Sequence, residues 1–382
     1  MSTQPQPALL QPKAQINYID HIKVVLTVLV ILHHTVIAYG APGGWYYTQK
    51  STLMGAIIPM TVFVSVNQAF FMGFFFFLSA LFVPSSYDKK GPLKFVTDRL
   101  LRLGIPLVFY SFVLSPFLSF ISYKWAEGHD VTYAQYLSGF DSWIDFGVLW
   151  FVAALLLFNL FYVFYRLIAG RTEFLLALPV VTRILIFAIG IGLISFAARI
   201  IFPVGWVLKP LGFQLGHFAQ YIALFIGGLV AARNQWLNDV KLKTGTTMRT
   251  VTICLIVFGF PLLFIIRKIL NFPVEWYSGG LHWQQAEYAI WEQLVGFSII
   301  TALLCIGKYR WNSSSAFLSK LSRSAFAVYI FHPLLIVSLT VALSGWAVDP
   351  ALKFLLVAPL AVAGSFLLGM VLVKIPGINK II

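Results

Sequence analysis

Apolar residues gather into ten stretches, at about 19–40, 57–83, 103–122, 146–166, 179–202, 212–232, 249–268, 287–306, 321–344 and 350–374. Each approaches the ~20 mostly apolar residues that a helix needs to cross a bilayer. The separators are polar or rich in turn residues: Ala41-Pro42-Gly43-Gly44, Lys89-Lys90-Gly91-Pro92, Gly170-Arg171, Phe202-Pro203, Lys243-Thr244-Gly245, Ser278-Gly279-Gly280 and Asp349-Pro350. The pattern predicts an all-α integral membrane protein, a bundle of about ten transmembrane helices. No fixed-period repeat or long linker divides it. Residues 16–376 read as one membrane domain, after a Gln/Pro-rich tail (1–15) expected to be disordered and before a short tail at 377–382. The first span is expected to stay uncleaved, because two histidines interrupt its long apolar run.

The basic residues set the expected orientation. With the N-terminus cytoplasmic, twenty of the 27 Lys and Arg residues fall on the cytoplasmic side. The other seven are Lys50, Lys124, Arg199, Lys209, Arg267, Lys268 and Lys353. This asymmetry predicts ten spans with both termini inside, and it accounts for the net charge of +14 without a nucleic-acid partner. Aromatic clusters at span ends, Trp45-Tyr46-Tyr47 and Trp143, fit interfacial belts.

Composition agrees. Hydrophobic residues make up 59% and charged residues 10%, against about 25% charged in a soluble domain. Cys254 and Cys305 lie in apolar runs far apart, without metal-ligand spacing, and are expected to be buried free thiols.

Chemistry-bearing residues interrupt the apolar pattern at four places. In the first span, Lys23 and His34 are eleven residues apart, so they share a helix face about 16 Å apart along the axis. Asp20 is placed to pair with Lys23. His34 is expected deep in the membrane, where an imidazole suits proton abstraction from a hydroxyl; His33 points about 100° away. The alternative for either ring is packing and hydrogen bonding to a neighbouring helix. Arg99 and Arg102, one turn apart where the third span begins, make a phosphate-binding fork or ordinary cytoplasmic anchors. Phe74 to Phe77 with Ser79 read as packing more readily than as a binding box. In the ninth span Tyr329 and His332 are i, i+3 neighbours, and Pro333 is expected to leave a backbone carbonyl free. Two intramembrane histidines with a cationic mouth outline a buried polar route.

In order and spacing these residues resemble the acyltransferase-3 family of multi-pass membrane acyltransferases, from Tyr18 to about Ile336. The marks are Lys23 to His34; the Phe-rich segment ending Leu78-Ser79-Ala80; Arg99 and Arg102 followed by Leu103-Gly104-Ile105-Pro106; Leu149-Trp150-Phe151-Val152; and Tyr329, His332 and Pro333. The chain looks closest to the stand-alone branch that includes glucan-modifying proteins. Three positions depart from the family pattern. Lys23 stands where most relatives have Arg, Ala80 where many have Gly, and Ala153, Ala154 and Leu155 where many have Glu.

The resemblance implies transfer of an acyl group, commonly acetyl, from cytoplasmic acyl-CoA to a hydroxyl of a carbohydrate or cell-envelope acceptor. His34, Lys23 and Asp20 are then the expected catalytic residues. Arg99, Arg102, Lys23 and Ser79 are expected to bind acyl-CoA. His332, Tyr329, Trp150 and His33 are expected to hold the acceptor. Neither a metal nor a tightly bound cofactor is expected; the partners are acyl-CoA, a carbohydrate or glycolipid acceptor and the lipid bilayer, in the cell inner membrane. Two other classes stay open at this point: a proton-coupled transporter using the histidines as a relay, and a non-catalytic membrane scaffold.

Overall fold

The structure is a computed structural model that describes residues 17–170 and 175–381. The N-terminal tail and Arg171 lie outside the described residues. Among the described residues, ten helical segments are long and apolar enough to cross a membrane: α1 (Asn17–Ala38), α2 (Met54–Lys90), α3 (Pro92–Ala126), α4 (Gly147–Ala169), α5 (Val181–Ile201), α6 (Leu215–Arg233), α7 (Leu242–Leu270), α8 (Trp283–Arg310), α9 (Ala316–Ala342) and α10 (Pro350–Leu372). The described residues contain no β-strand beyond an isolated bridge between Leu208 and Phe213. The chain is therefore an all-α, multi-pass membrane bundle.

All ten apolar stretches coincide with helices, but two helices start well before the apolar pattern does and one ends well after it. α2 runs on to Lys90, α3 starts at Pro92 and α7 at Leu242. Their extra turns carry charges that depress local hydropathy without breaking the helix. Arg99 and Arg102 consequently sit two to three turns inside α3 rather than at its start.

α1, α2 and α8 form the interior and α7 the periphery; 72% of the apolar window of α2 is buried, against 11% for α7. α1 packs on α9 and α10, α5 and α7 pack on α8, and the second half of α2 packs on α6. Small residues permit the last approach. A Cβ on Gly228 of α6 would stand 2.4 Å from the Phe77 carbonyl and 2.7 Å from the Ala80 Cβ. Ala80 is thus accommodated by a glycine opposite it. Peripheral α7 also corrects one expectation: Cys305 on α8 is buried, but Cys254 is exposed, because most of the α7 surface has no helix against it.

α2 is broken at Ala69 and Phe70, where Phe70 leaves the helical region at φ −138°. Non-helical backbone at membrane depth is tolerated where protein supplies its hydrogen bonds. Here the Gln220 side chain of α6 donates to the Ala69 carbonyl at 2.7 Å.

Candidate active site

The last turns of α1 and the middle of α9 bring His33, His34 and His332 together, although His34 and His332 are almost 300 residues apart. The rings of His34 and His332 stack with centroids 5.2 Å apart, and the Trp45 ring stacks on His34 at 4.4 Å. His33 meets His34 edge-on at 5.5 Å and lies against Phe71 at 4.9 Å. His34 sits four residues before the end of α1, about 6 Å from it, rather than deep in the span. The loop after α1 folds back over the ring: Trp45, expected in an interfacial belt, is turned inward as a cover on His34.

That cover is tied down on both sides. Tyr46 Oη and Tyr110 Oη of α3 are 2.7 Å apart. Ser51 donates to Asp349 at 2.7 Å, and Lys353 donates to Gln49 at 3.0 Å and to the Leu343 carbonyl at 2.9 Å. The Ser51 hydroxyl, and next the Ala351 amide, hold the Asp349 carboxyl below the usual carboxylate range.

Hydrogen bonds fix the protons on two of the three imidazoles. Pro333 has no N–H to give the carbonyl of Tyr329, and His332 Nδ1 takes that place at 2.8 Å. A carbonyl only accepts, so Nδ1 carries the proton and the neutral ring presents its lone pair at Nε2. Asn67 Nδ2 donates to the Leu29 carbonyl at 3.3 Å and lies 3.2 Å from His33 Nδ1. The Leu29 contact orients the amide, so His33 Nδ1 accepts and its Nε2 bears hydrogen in the neutral ring. His332 Nε2, His34 Nδ1 and Trp45 Nε1 are all buried without a hydrogen-bond partner. Three unpartnered nitrogens on mutually stacked rings are unusual, since buried polar groups are normally satisfied.

His34 nonetheless retains accessible surface, while His33 and His332 are 6% and 0% exposed. The outward residue of α1, Val25, lies about 180° around the helix from His34. The open side of His34 therefore faces the bundle interior and not the surrounding lipid.

The other expected residues divide between this cluster and the opposite end. Tyr329 lies beside His332 at 6.0 Å, but its hydroxyl is committed to the Val148 carbonyl. Trp150 stands one layer away, 5.5 Å from Tyr221. At the far end of α1, Lys23 pairs with Asp20 at 3.2 Å and lies 5.1 Å over the Phe82 ring. Phe82 in turn lines a cavity of about 240 Å³ with Ser86, Lys90, Phe95, Asp98, Arg99 and Arg102. Asp98 is engaged by Lys90 at 2.6 Å, and Arg99 stacks on Phe95 at 4.8 Å. Both arginines thus reach one cavity, with Lys23 beside it across a shared ring. Ser79 is half-buried and outside that lining. Between Lys23 and His34 the same face of α1 is closed, with Thr27 2% and Val30 1% exposed. No open polar route joins the two ends along that face.

Sequence reasoning missed a second buried polar centre. Arg199 of α5 and Glu292 of α8 form an ion pair with exposures of 0% and 1%, and Arg199 Nη2 is also 3.0 Å from His217 Nδ1 of α6. Glu292 is the one fully buried acid among the described residues. Gln293 donates to Glu292 at 3.3 Å, and Gln220 donates to Gln293 at 2.8 Å and on to the Ala69 carbonyl at the α2 break. Gln220 enters a slot that glycines keep open: a Cβ on Gly73 or Gly296 would stand within 2.8 Å of its amide. The chain of bonds ends at Ala69, two residues after the Asn67 that orients His33. Such a pair is costly in hydrocarbon unless fully engaged. The family pattern's glutamate after Trp150 is absent, and the buried carboxylate of this bundle comes from α8.

The family described as an acyltransferase domain, acyltransferase-3, has a model that matches residues 16–370, nearly the whole chain. No curated protein and no solved structure matches it. With ten apolar spans, an imidazole cluster at one end and paired arginines at the other, the chain belongs to the acyltransferase-3 family of acyl-transferring membrane enzymes.

Proposed function

We propose that this protein is an O-acyltransferase of the cell inner membrane, with both termini cytoplasmic. It moves an acyl group, expected to be acetyl, from cytoplasmic acyl-CoA to a hydroxyl of a carbohydrate or glycolipid acceptor. The observation that carries this reading is the trio of unpartnered nitrogens on His34, His332 and Trp45.

The phosphates of acyl-CoA are assigned to the Arg99–Arg102 cavity and Lys23, where charge-assisted hydrogen bonds are strong. Lys23 and Asp20 act there, as donor-binding residues, since about 16 Å of helix separates Lys23 from His34. The pantetheine arm runs from this end toward His34, and the closed face at Thr27 and Val30 must part to admit it. His34 removes the proton from the acceptor hydroxyl, whose oxygen attacks the thioester carbonyl carbon. The C–S bond then breaks, and the thiolate takes the proton back from His34, leaving ester and CoA thiol. His332 Nε2 accepts a hydrogen bond and so orients the acceptor. The Trp45 indole N–H is a donor without a partner, and is assigned to the oxyanion of the tetrahedral intermediate. An acyl-His34 intermediate is the rival sequence of steps.

The test is release of CoA thiol and acylation of added glycan by purified protein in lipid nanodiscs. His34→Ala is expected to lower turnover about 10²- to 10⁴-fold while leaving acyl-CoA binding intact. Full turnover by a correctly inserted variant removes the role given to His34. Flux of a solute without CoA release would turn the reading toward a transporter.

A further inference from the structure

Between α4 and α6 lies a cavity of about 510 Å³ that the acyl-transfer reading does not use. Its floor is Pro84 of α2, and its walls include Phe158, Phe161, Ile222, Ile226 and Leu229. The two helices meet deep in the bundle, where the Phe158 ring is 5.3 Å from Phe225, and leave a groove from there to the Lys/Arg-rich end. Phe161 and Ile226 are 61% and 52% exposed, so the groove opens sideways, toward the hydrocarbon.

At its end the groove stops being apolar. Arg166 and Arg233 close it, and both bind one carboxylate: Arg166 Nη1 donates to Asp88 at 2.9 Å, and Arg233 Nη2 donates to Asp88 at 3.1 Å. Tyr162 Oη accepts from both, at 2.8 Å and 3.4 Å. Two guanidinium groups share a single acid, so the cluster keeps one net positive charge. Among the described residues, Arg166 Nη2 and Arg233 Nε have no hydrogen-bond partner. Asp88 and Tyr162 hold the two side chains in place, which leaves a preorganised anion seat.

The dimensions name the ligand class. From Phe158 to Arg166, or from Ile222 to Arg233, the helices rise about 12 to 17 Å. Half the hydrocarbon core of a bilayer is about 15 Å. The groove therefore spans one leaflet, from the headgroup level to the bilayer midplane. We propose that it is a binding site for an anionic glycerophospholipid, with an acyl chain against Phe161, Ile226 and Leu229 and the phosphodiester on Arg166 and Arg233. A zwitterionic lipid places a cation beside the arginines and binds more weakly.

The experiment titrates delipidated full-length protein in neutral detergent with phosphatidylglycerol or phosphatidylcholine, read by native mass spectrometry. One phosphatidylglycerol is expected to be retained at a concentration at least tenfold below that needed for phosphatidylcholine. R166Q/R233Q is expected to abolish the preference. I226W leaves the arginine–Asp88 cluster untouched and is expected to block retention of either lipid, with its melting temperature serving as the folding control. Equal retention of the two lipids, or a preference that survives both variants, overturns the proposal. Competitive displacement of phosphatidylglycerol by palmitoyl-CoA also overturns it, by giving the groove to the acyl donor.

Discussion

Pro333→Ala is expected to make the protein more stable and the enzyme slower. The substitution restores an N–H at position 333, one turn beyond the Tyr329 carbonyl that His332 Nδ1 now occupies at 2.8 Å. Proline inside a helix costs about 3 kcal/mol relative to alanine. Here the freed carbonyl already has a partner, and a net hydrogen bond is worth about 1 kcal/mol. The expected gain in unfolding free energy is therefore about 2 kcal/mol. The carbonyl can hold both donors, so the functional loss is capped near the value of the imidazole bond. Losing about 1 kcal/mol of bias toward the Nδ1–H tautomer corresponds to about fivefold in population. Turnover is thus expected to fall about fivefold, with KM for acyl-CoA unchanged. Thermal melting and steady-state CoA-thiol release report the two effects on one preparation, and ¹⁵N spectra of the ring report the tautomer. A stabilised variant with full turnover would refute the claim that the His332 lone pair is held in place by Pro333.

Three further outcomes follow from other contacts. R99Q/R102Q removes both guanidinium groups from the Phe82–Phe95 cavity; at about 1.5–3 kcal/mol for each charged hydrogen bond lost, KM for acyl-CoA should rise at least tenfold, which a donor titration at saturating acceptor measures. Glu292→Ala leaves Arg199 buried without its acid and is expected to cost about 3–5 kcal/mol in a denaturation experiment, whereas R199M/E292L should lie close to wild type; equal losses in both would refute a simple ion-pair account. Asp349 has its pKa lowered by Ser51, so its contribution to holding the Trp45 loop is present above the unfolded carboxylate pKa and is lost as pH falls through the lower folded value; amide protection factors at residues 45–51, corrected for intrinsic exchange, should fall only below the unfolded carboxylate pKa, and protection factors unchanged by acid would contradict this.

The ten spans and the contacts within single helices could be read from the chain alone. Membrane partition depends on the summed polarity of some twenty consecutive residues, so it is a local property of the sequence. The Asp20–Lys23 pair and the carbonyl freed by Pro333 are equally local, set by helical spacing and by a missing N–H. What surrounds the histidines was decided by tertiary structure. Trp45 follows a helix end and looks like a belt residue until the loop folds it onto His34. Asn67 reads as an ordinary polar interruption until α2 crosses α1 and aims it at His33. Arg199 counts only among the seven basic residues of one side, and nothing local marks Glu292 as its partner, because the two are 93 residues apart. Hydropathy records what each segment costs to bury, but only packing determines which polar groups meet, and in this protein that choice builds the imidazole cluster and its supports.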